Sequence, residues 1–280
     1  MAWHADAHFR TGEYHAKGGY VCQDYALSSD NDGCPFAVVS DGCSSSGRTD
    51  LGSRVWCLAA SKTLRVAKYG DADCLGAHIG IRAFEFTSGM DMSEEDMDAT
   101  LGIATITKSG TPAGYLIGDG AIVLGYKDSI HVVVAEWSGN MPGYPSYAEG
   151  ADSRYKSFCA QSDDYAVSEG RSAFTVSYYR LGSEKPYSVM RCDAAEGLNG
   201  WVVNGYQDAT FLAVFTDGVG QVSGLSLHEV VRELTDFPVA RGGAFVRRQI
   251  NSALNGWAKK GHYPQDDISM ACLIRLPDDV

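Results

Sequence analysis

The chain has 280 residues, with 23 Lys and Arg against 35 Asp and Glu, giving a formal net charge of −12. That length buries enough apolar surface for a large core without disulfide staples, and 45% hydrophobic with 21% charged residues is an ordinary globular composition. The acidic balance argues against binding a nucleic-acid backbone or an anionic membrane, both of which need clustered Lys and Arg, but it leaves cation binding open. Eight cysteines, none spaced C-x-x-C, are expected to be reduced thiols. Residues 1–6 lack a charged segment followed by an apolar one, and no uncharged run approaches the ~20 residues of a membrane span. The expectation is a soluble, cytoplasmic monomer.

In chain order, short strands are expected at Tyr25–Leu27 and Phe36–Val39. A helix follows from about Asp50 to Lys68, where Leu51, Val55, Leu58 and Leu64 recur at helical spacing. A second helix is predicted over Ala77–Phe86. Strands return at Leu101–Thr107, Ala113–Leu116, Ala121–Gly125 and Ile130–Val134. Gly139–Gly170, rich in Gly, Pro, Ser, Asp and Tyr, reads as an unusually long loop, a flap or an insert. Strands resume at Phe174–Tyr179 and Phe211–Phe215, then helices at Ser226–Thr235 and Gly243–Lys259, the first opened by a Ser226/Glu229 capping box. The last strand is Ile268–Ile274. Runs of strands separated by helix pairs predict an α+β fold of antiparallel sheets in a single domain over residues 1–280.

One pattern recurs: an apolar strand, a small or hydroxyl residue, then Asp-Gly. It occurs at Ser40-Asp41-Gly42, Gly118-Asp119-Gly120 and Thr216-Asp217-Gly218. Asp24 and the pair Asp266-Asp267 also flank strands. A single Asp-Gly is an ordinary turn. Several carboxylates gathered at one end of a sheet repel each other unless a cation neutralises them, and an all-oxygen donor set suits Mg²⁺ or Mn²⁺ better than zinc.

In their order, strand context and spacings of 17, 78, 98 and 49 residues, Asp24, Asp41, Asp119, Asp217 and Asp266 resemble the motifs of the metal-dependent protein phosphatases of type 2C, in a bacterial-type branch. The resemblance runs from about His15 to Leu276. It implies a four-layer α/β/β/α sandwich, two antiparallel sheets flanked by helix pairs, with a dinuclear Mg²⁺ or Mn²⁺ centre at one end. Asp41 would bridge the two ions, Asp217 and Asp266 would hold one, and Asp24 with the Gly42 carbonyl would complete the other. Asp119 would match a third, weaker ion. The implied activity is hydrolysis of phosphoserine and phosphothreonine in proteins by a metal-activated water or hydroxide.

Three positions depart from the family pattern. Gln23 stands where Glu precedes the first Asp, Gly19 where an Arg binds phosphate, and Cys43 where a His follows Asp-Gly. Lys17 and His15 are candidate phosphate-binding substitutes, and His15 or His262 a candidate general acid. These departures keep open an alternative, a pseudophosphatase serving as a binding or regulatory module. Other motifs carry less weight. Gly42–Gly47 lacks the second Gly of a nucleophile elbow. His4 and His8, spaced i, i+4, would pair on zinc only if the segment were helical. Asp91–Asp98 reads as a solvated acidic face, with Asp98 able to approach the site from a strand start.

Overall fold

Two-residue alternation builds the architecture. Along Phe36–Ser40, Phe36 and Val38 face one apolar layer while Ala37 and Val39 face another. Along Phe211–Phe215, Phe211, Ala213 and Phe215 face one layer and Leu212 and Val214 the other. Strands buried on both faces must be covered on both sides, which two stacked sheets with helices outside achieve. The computed structural model describes residues 2–30, 35–67, 72–149, 152–237 and 243–276 and has this four-layer form.

The strands are β1 (Ala2–Arg10), β2 (Tyr25–Ser29), β3 (Phe36–Ser40), β4 (Leu101–Ile106), β5 (Pro112–Ile117), β6 (Gly120–Gly125), β7 (Ile130–Trp137), β8 (Phe174–Arg180), β9 (Ser188–Cys192), β10 (Trp201–Asn204), β11 (Phe211–Phe215) and β12 (Ile268–Leu276). One sheet runs β1-β12-β11-β6-β7-β8-β9 and the other β10-β5-β4-β3-β2, with every pairing antiparallel. Between them lie Ala37, Val39, Leu116, Ile122, Leu212 and Val214. Helices α2 (Thr49–Ala67) and α3 (Ala72–Thr87) cover the five-stranded sheet through Val55, Trp56, Leu64 and Ile79. Helices α7 (Leu227–Thr235) and α8 (Phe245–Ala258) cover the seven-stranded sheet through Val230, Leu234, Ile250 and Trp257. The predicted capping box is present at α7: the Ser226 hydroxyl accepts from the Glu229 N–H, and the Glu229 carboxylate accepts from the Ser226 N–H. The end predicted for α2, residue 68, lies outside the described residues.

Two expectations are corrected, and the histidine pair near the start is resolved. Much of the segment read as a loop over 139–170 is helical, as α4 (Pro145–Glu149) and α5 (Asp152–Ser168). Tyr155, Phe158, Cys159 and Ala166 recur at helical spacing and pack beside Trp137, so periodicity outweighs a polar composition. Residues 2–10 form β1, paired with β12. His4 and His8 therefore share a strand face about 13 Å apart, too far for one zinc ion. The acidic segment before β4 is a solvated face only in part: Asp91, Glu94 and Glu95 are exposed, but Asp96 and Asp98 are buried. The short helices α1 (Glu13–Gly18) and α6 (Ala194–Leu198) and short 3-10 turns at Glu95–Met97, Ser138–Asn140 and Asp217–Gly220 are the remaining described elements.

Gly102 of β4 leaves no room between the sheets: a Cβ would stand 2.5 Å from Val214 Cγ1 of the facing sheet and 2.8 Å from Val39 Cγ2 of its own. Gly102→Ala should overpack this interface and cost about 1–3 kcal/mol, read as a lower urea midpoint at unchanged slope. A variant as stable as the parent contradicts the packing.

Candidate metal centre

The five aspartates singled out by the sequence meet at one rim of the sandwich because of where their strands end. Asp41 follows β3 directly and Asp24 precedes β2 directly; since Tyr25 pairs with Ser40, the two carboxyls face each other. Asp217 follows β11 and Asp266 precedes β12, at the same end because Phe215 pairs with Met270. Asp119 lies in the turn from β5 to β6, which crosses from one sheet to the other. Gly118 and Gly120 take φ of 98° and 140° there, conformations that only glycine adopts freely. Gly42 is also required, since a Cβ would lie 2.5 Å from the Thr49 carbonyl oxygen.

Two threonine hydroxyls, Thr216 just before Asp217 and Thr100 just before β4, fix the rim. Thr216 donates to Asp24 Oδ2 at 2.9 Å and accepts from the Ser269 N–H and hydroxyl, both at 3.1 Å. The Asp41 N–H donates to Thr100 Oγ1 at 3.1 Å, and the Thr100 N–H returns to the Asp41 carbonyl at 2.8 Å. Thr216 belongs to the hydroxyl-Asp-Gly pattern of the sequence, whereas Thr100 lies outside it.

Burial and mutual repulsion dominate the electrostatics. Desolvation, with the neighbouring carboxylates, pushes Asp24 and Asp119 each up from 3.8 to about 8, and raises Asp41 and Asp217 as well. Asp24 Oδ1 and Asp217 Oδ1 are buried without a hydrogen-bond partner, while Gln221 donates to Asp217 Oδ2 at 2.7 Å. Partnerless buried oxygens in a like-charge, all-oxygen cluster fit hard divalent cations. A depression of about 390 Å³ opens beside Asp119 and Asp217, lined also by Glu136, Asn140 and Gln221.

His15 and Asp267 form the opposite flank. His15 Nδ1 lies 2.9 Å from Asp267 Oδ2 and 3.9 Å from Asp266 Oδ1, and the ligand atoms of the three residues fall within 4.8 Å of one another. Asp267, which the sequence left beside Asp266 without a task, accepts from the Gly12 N–H at 2.8 Å and the Gln23 N–H at 2.7 Å. Both its oxygens are thus used to hold the N-terminal segment against the rim, while Asp266 Oδ1 accepts from the Asp267 N–H at 2.8 Å. The Gln23 amide donates to Thr49 Oγ1 and accepts from Ser44. Lys17 is not brought to the cluster: it points to solvent and pairs with Glu13 at 2.9 Å. Gly19, at the position of the absent Arg, ends α1 with φ 70°. His262 is not gathered there either; its ring bonds the Ser223 carbonyl.

Asp98 does not join the carboxylates. Both its oxygens take Arg154 Nη2, at 2.8 and 2.6 Å, and Ser46 and Ser146 donate to it at 2.9 and 2.7 Å. The Asp98 carbonyl also accepts the Cys43 N–H at 2.8 Å. This buried node ties α4 and α5 to the loop after Asp41. Tyr144, just before α4, is buried beside Cys43, Asp119 and Asp41, which with desolvation raise its phenol.

A sequence profile of the family described as Protein phosphatase 2C matches residues 11–255. Similar solved structures include the serine/threonine phosphatase PstP/Ppp of Mycobacterium tuberculosis (14% identity, 99% of this chain and 100% of that one, TM-score 0.55). They also include Stp1 of Staphylococcus aureus (11%, 99% and 96%, 0.55) and the PPM Ser-Thr phosphatase MsPP of Mycobacterium smegmatis in complex with cacodylate (14%, 98% and 98%, 0.53). At such identities the likeness is one of fold. No curated protein matches the chain. Fold and profile together define the class, a phosphoprotein phosphatase. The chain belongs to the protein phosphatase 2C family.

Carboxyls with raised pKa favour the protonated form in the folded chain. Their contribution to stability is therefore complete below about pH 4 and is lost as pH rises through about 8. With EDTA, the Tm should fall between about pH 5 and about pH 9, and Mn²⁺ should raise it most at the alkaline end, where protons compete least for the same oxygens. A metal-free Tm that is flat across this range would contradict the cluster. Separately, Arg154→Ala, which leaves buried Asp98 without its cation, should cost about 3 kcal/mol in urea unfolding.

Proposed function

We propose that the chain is a Mn²⁺- or Mg²⁺-dependent serine/threonine protein phosphatase acting on phosphoproteins. The gathering of five buried or half-buried carboxylates at one rim, with two partnerless oxygens among them, carries this reading. Asp41 would hold two cations jointly, Asp217 and Asp266 one of them, and Asp24 with the Gly42 carbonyl the other, leaving Asp119 for a third. Bound there, divalent ions supply water of lowered pKa and positive charge for the phosphoryl oxygens.

The chain's own residues do the rest. Thr216 and Thr100 keep Asp24 and Asp41 in register, so the donors are positioned before any ligand arrives. Among the described residues lining the depressions on either flank of the cluster there is no Lys or Arg, so a phosphate dianion depends on the cations for its charge. His15 turns Nδ1 toward Asp267, which leaves Nε2 to deliver a proton to the departing serine or threonine oxygen.

A second reading, a binding module without turnover, is favoured by the turn glycine at position 19 and by the engagement of Gln23 with Thr49 and Ser44. Activity decides between the two. The wild type with Mn²⁺ should hydrolyse a phosphothreonine peptide, EDTA should stop it, and Asp41→Asn should abolish it with unchanged circular dichroism. Full turnover by Asp41→Asn excludes the mechanism, and no turnover by the wild type selects the binding module. His15→Gln should lower kcat on the peptide by about 10²-fold and on p-nitrophenyl phosphate far less, because nitrophenolate leaves without a proton. Equal losses on both substrates would remove His15 as the acid.

A further inference from the structure

The carboxylate rim lies between two depressions of unlike character. One, beside Asp119 and Asp217, is acidic. The other, of about 280 Å³, is bounded by His15, Gln23 and Asp50 and walled by Tyr14, Tyr20 and Val21. These last three are 66%, 61% and 62% exposed, an uncommon state for three large apolar side chains side by side.

The two phenol rings are held in place. Tyr14 and Tyr20 stack with centroids 6.3 Å apart and planes 21° from parallel, and each also contacts the His15 ring. The backbone fixes the arrangement: Gly19 reverses the chain at φ 70°, and the Tyr20 N–H bonds the His15 carbonyl at 2.9 Å. The Tyr20 ring lies over Gly18, where a Cβ would come within 2.3 Å of it. The ledge thus exists before a ligand arrives, so little ordering entropy opposes its use.

We propose that this ledge is a specificity subsite that takes an arginine side chain flanking the phosphorylated residue of a peptide. The inference rests on the phosphatase reading for its setting. A guanidinium lies flat on a tyrosine face with favourable cation–π and stacking energy. The carboxylate in the pocket, Asp50, attracts it further, although Arg54 shares that carboxylate at 3.5 Å. Glu13 is occupied by Lys17 and contributes little net charge. With Glu136 in the opposite depression and a chain charge of −12, the surroundings disfavour acidic flanks.

The test measures equilibrium binding to the full chain with Mn²⁺, by anisotropy of fluorescein-labelled peptides that carry a non-hydrolysable phosphonate analogue of phosphothreonine and differ only in flanking residues: Arg, Leu, Ala or Glu. The Arg peptide should bind about fivefold more tightly than the Ala peptide, with Glu weakest. Tyr14→Ala/Tyr20→Ala should remove most of that advantage, whereas Tyr14→Phe/Tyr20→Phe, which keeps the ring faces, should retain it. Gly18→Ala, which displaces only Tyr20, should reduce it in a chain whose α1 gains a better helix former. Leu binding as well as Arg, an Arg preference surviving the double Ala variant, or loss in the Phe variant equal to that in the Ala variant would each overturn the proposal. Hydrolysis of p-nitrophenyl phosphate by the wild type is read separately. Its absence would refute the phosphatase reading while leaving the binding comparison valid.

Discussion

Repulsion among carboxylates that the fold refuses to separate is the constraint on which the rest of the structure depends. Asp24, Asp41, Asp119 and Asp217 are drawn out of water and toward one another, and each is shifted toward its neutral form for that reason. Exposed loops would let such charges spread. Here each charge sits within two residues of a strand end, and the strands are locked in register by antiparallel ladders buried on both faces. Stability gained in the three apolar layers offsets the electrostatic cost at the rim, a common relation between scaffold and site.

The other buried acids show the same principle used differently. Asp267 spends its oxygens on backbone N–H groups of the N-terminal segment, and Asp98 on Arg154 and two serines. Asp96 is held well below the usual carboxylate range, chiefly by its hydrogen bond with Arg48. These three are satisfied within the protein and act as fasteners, bringing the N-terminal arm, α4 with α5, and the loop after Asp41 against the rim. Asp24 and Asp217 keep oxygens without a partner. Hydrogen-bond satisfaction, not burial alone, separates the acids that fasten the structure from those that keep an open oxygen.

The rim accounts for part of the acidity of the chain. Among the described residues, neither flanking depression is lined by Lys or Arg, so the protein carries no cation of its own there to meet an anionic group. Five of the 35 acids lie at this one place. With two divalent ions the formal charge of −12 becomes −12 + 4 = −8.

Much of this was written in local sequence. The hydroxyl-Asp-Gly steps at strand ends, the two-residue alternation of β3, β11 and β12, and the Ser226 box need only neighbours in the chain to act, and all are present. β1 was equally legible in the alternation of Trp3, Ala5, Ala7 and Phe9 with His4, Asp6, His8 and Arg10, although polar residues at a chain start disguised it. Helix α5 was hidden because Ser, Asp and Gln dominate its composition while its apolar face is aromatic and narrow. The tasks of Asp98 and Asp267 could not be read locally, because their partners lie 56 residues away for Arg154 and 244 and 255 residues away for Gln23 and Gly12. The sequence by itself determined which strands end in acid, since propensity and charge act over a few residues. Only the tertiary structure decided which acids face one another and which are already satisfied, since that depends on pairings between segments distant in the chain.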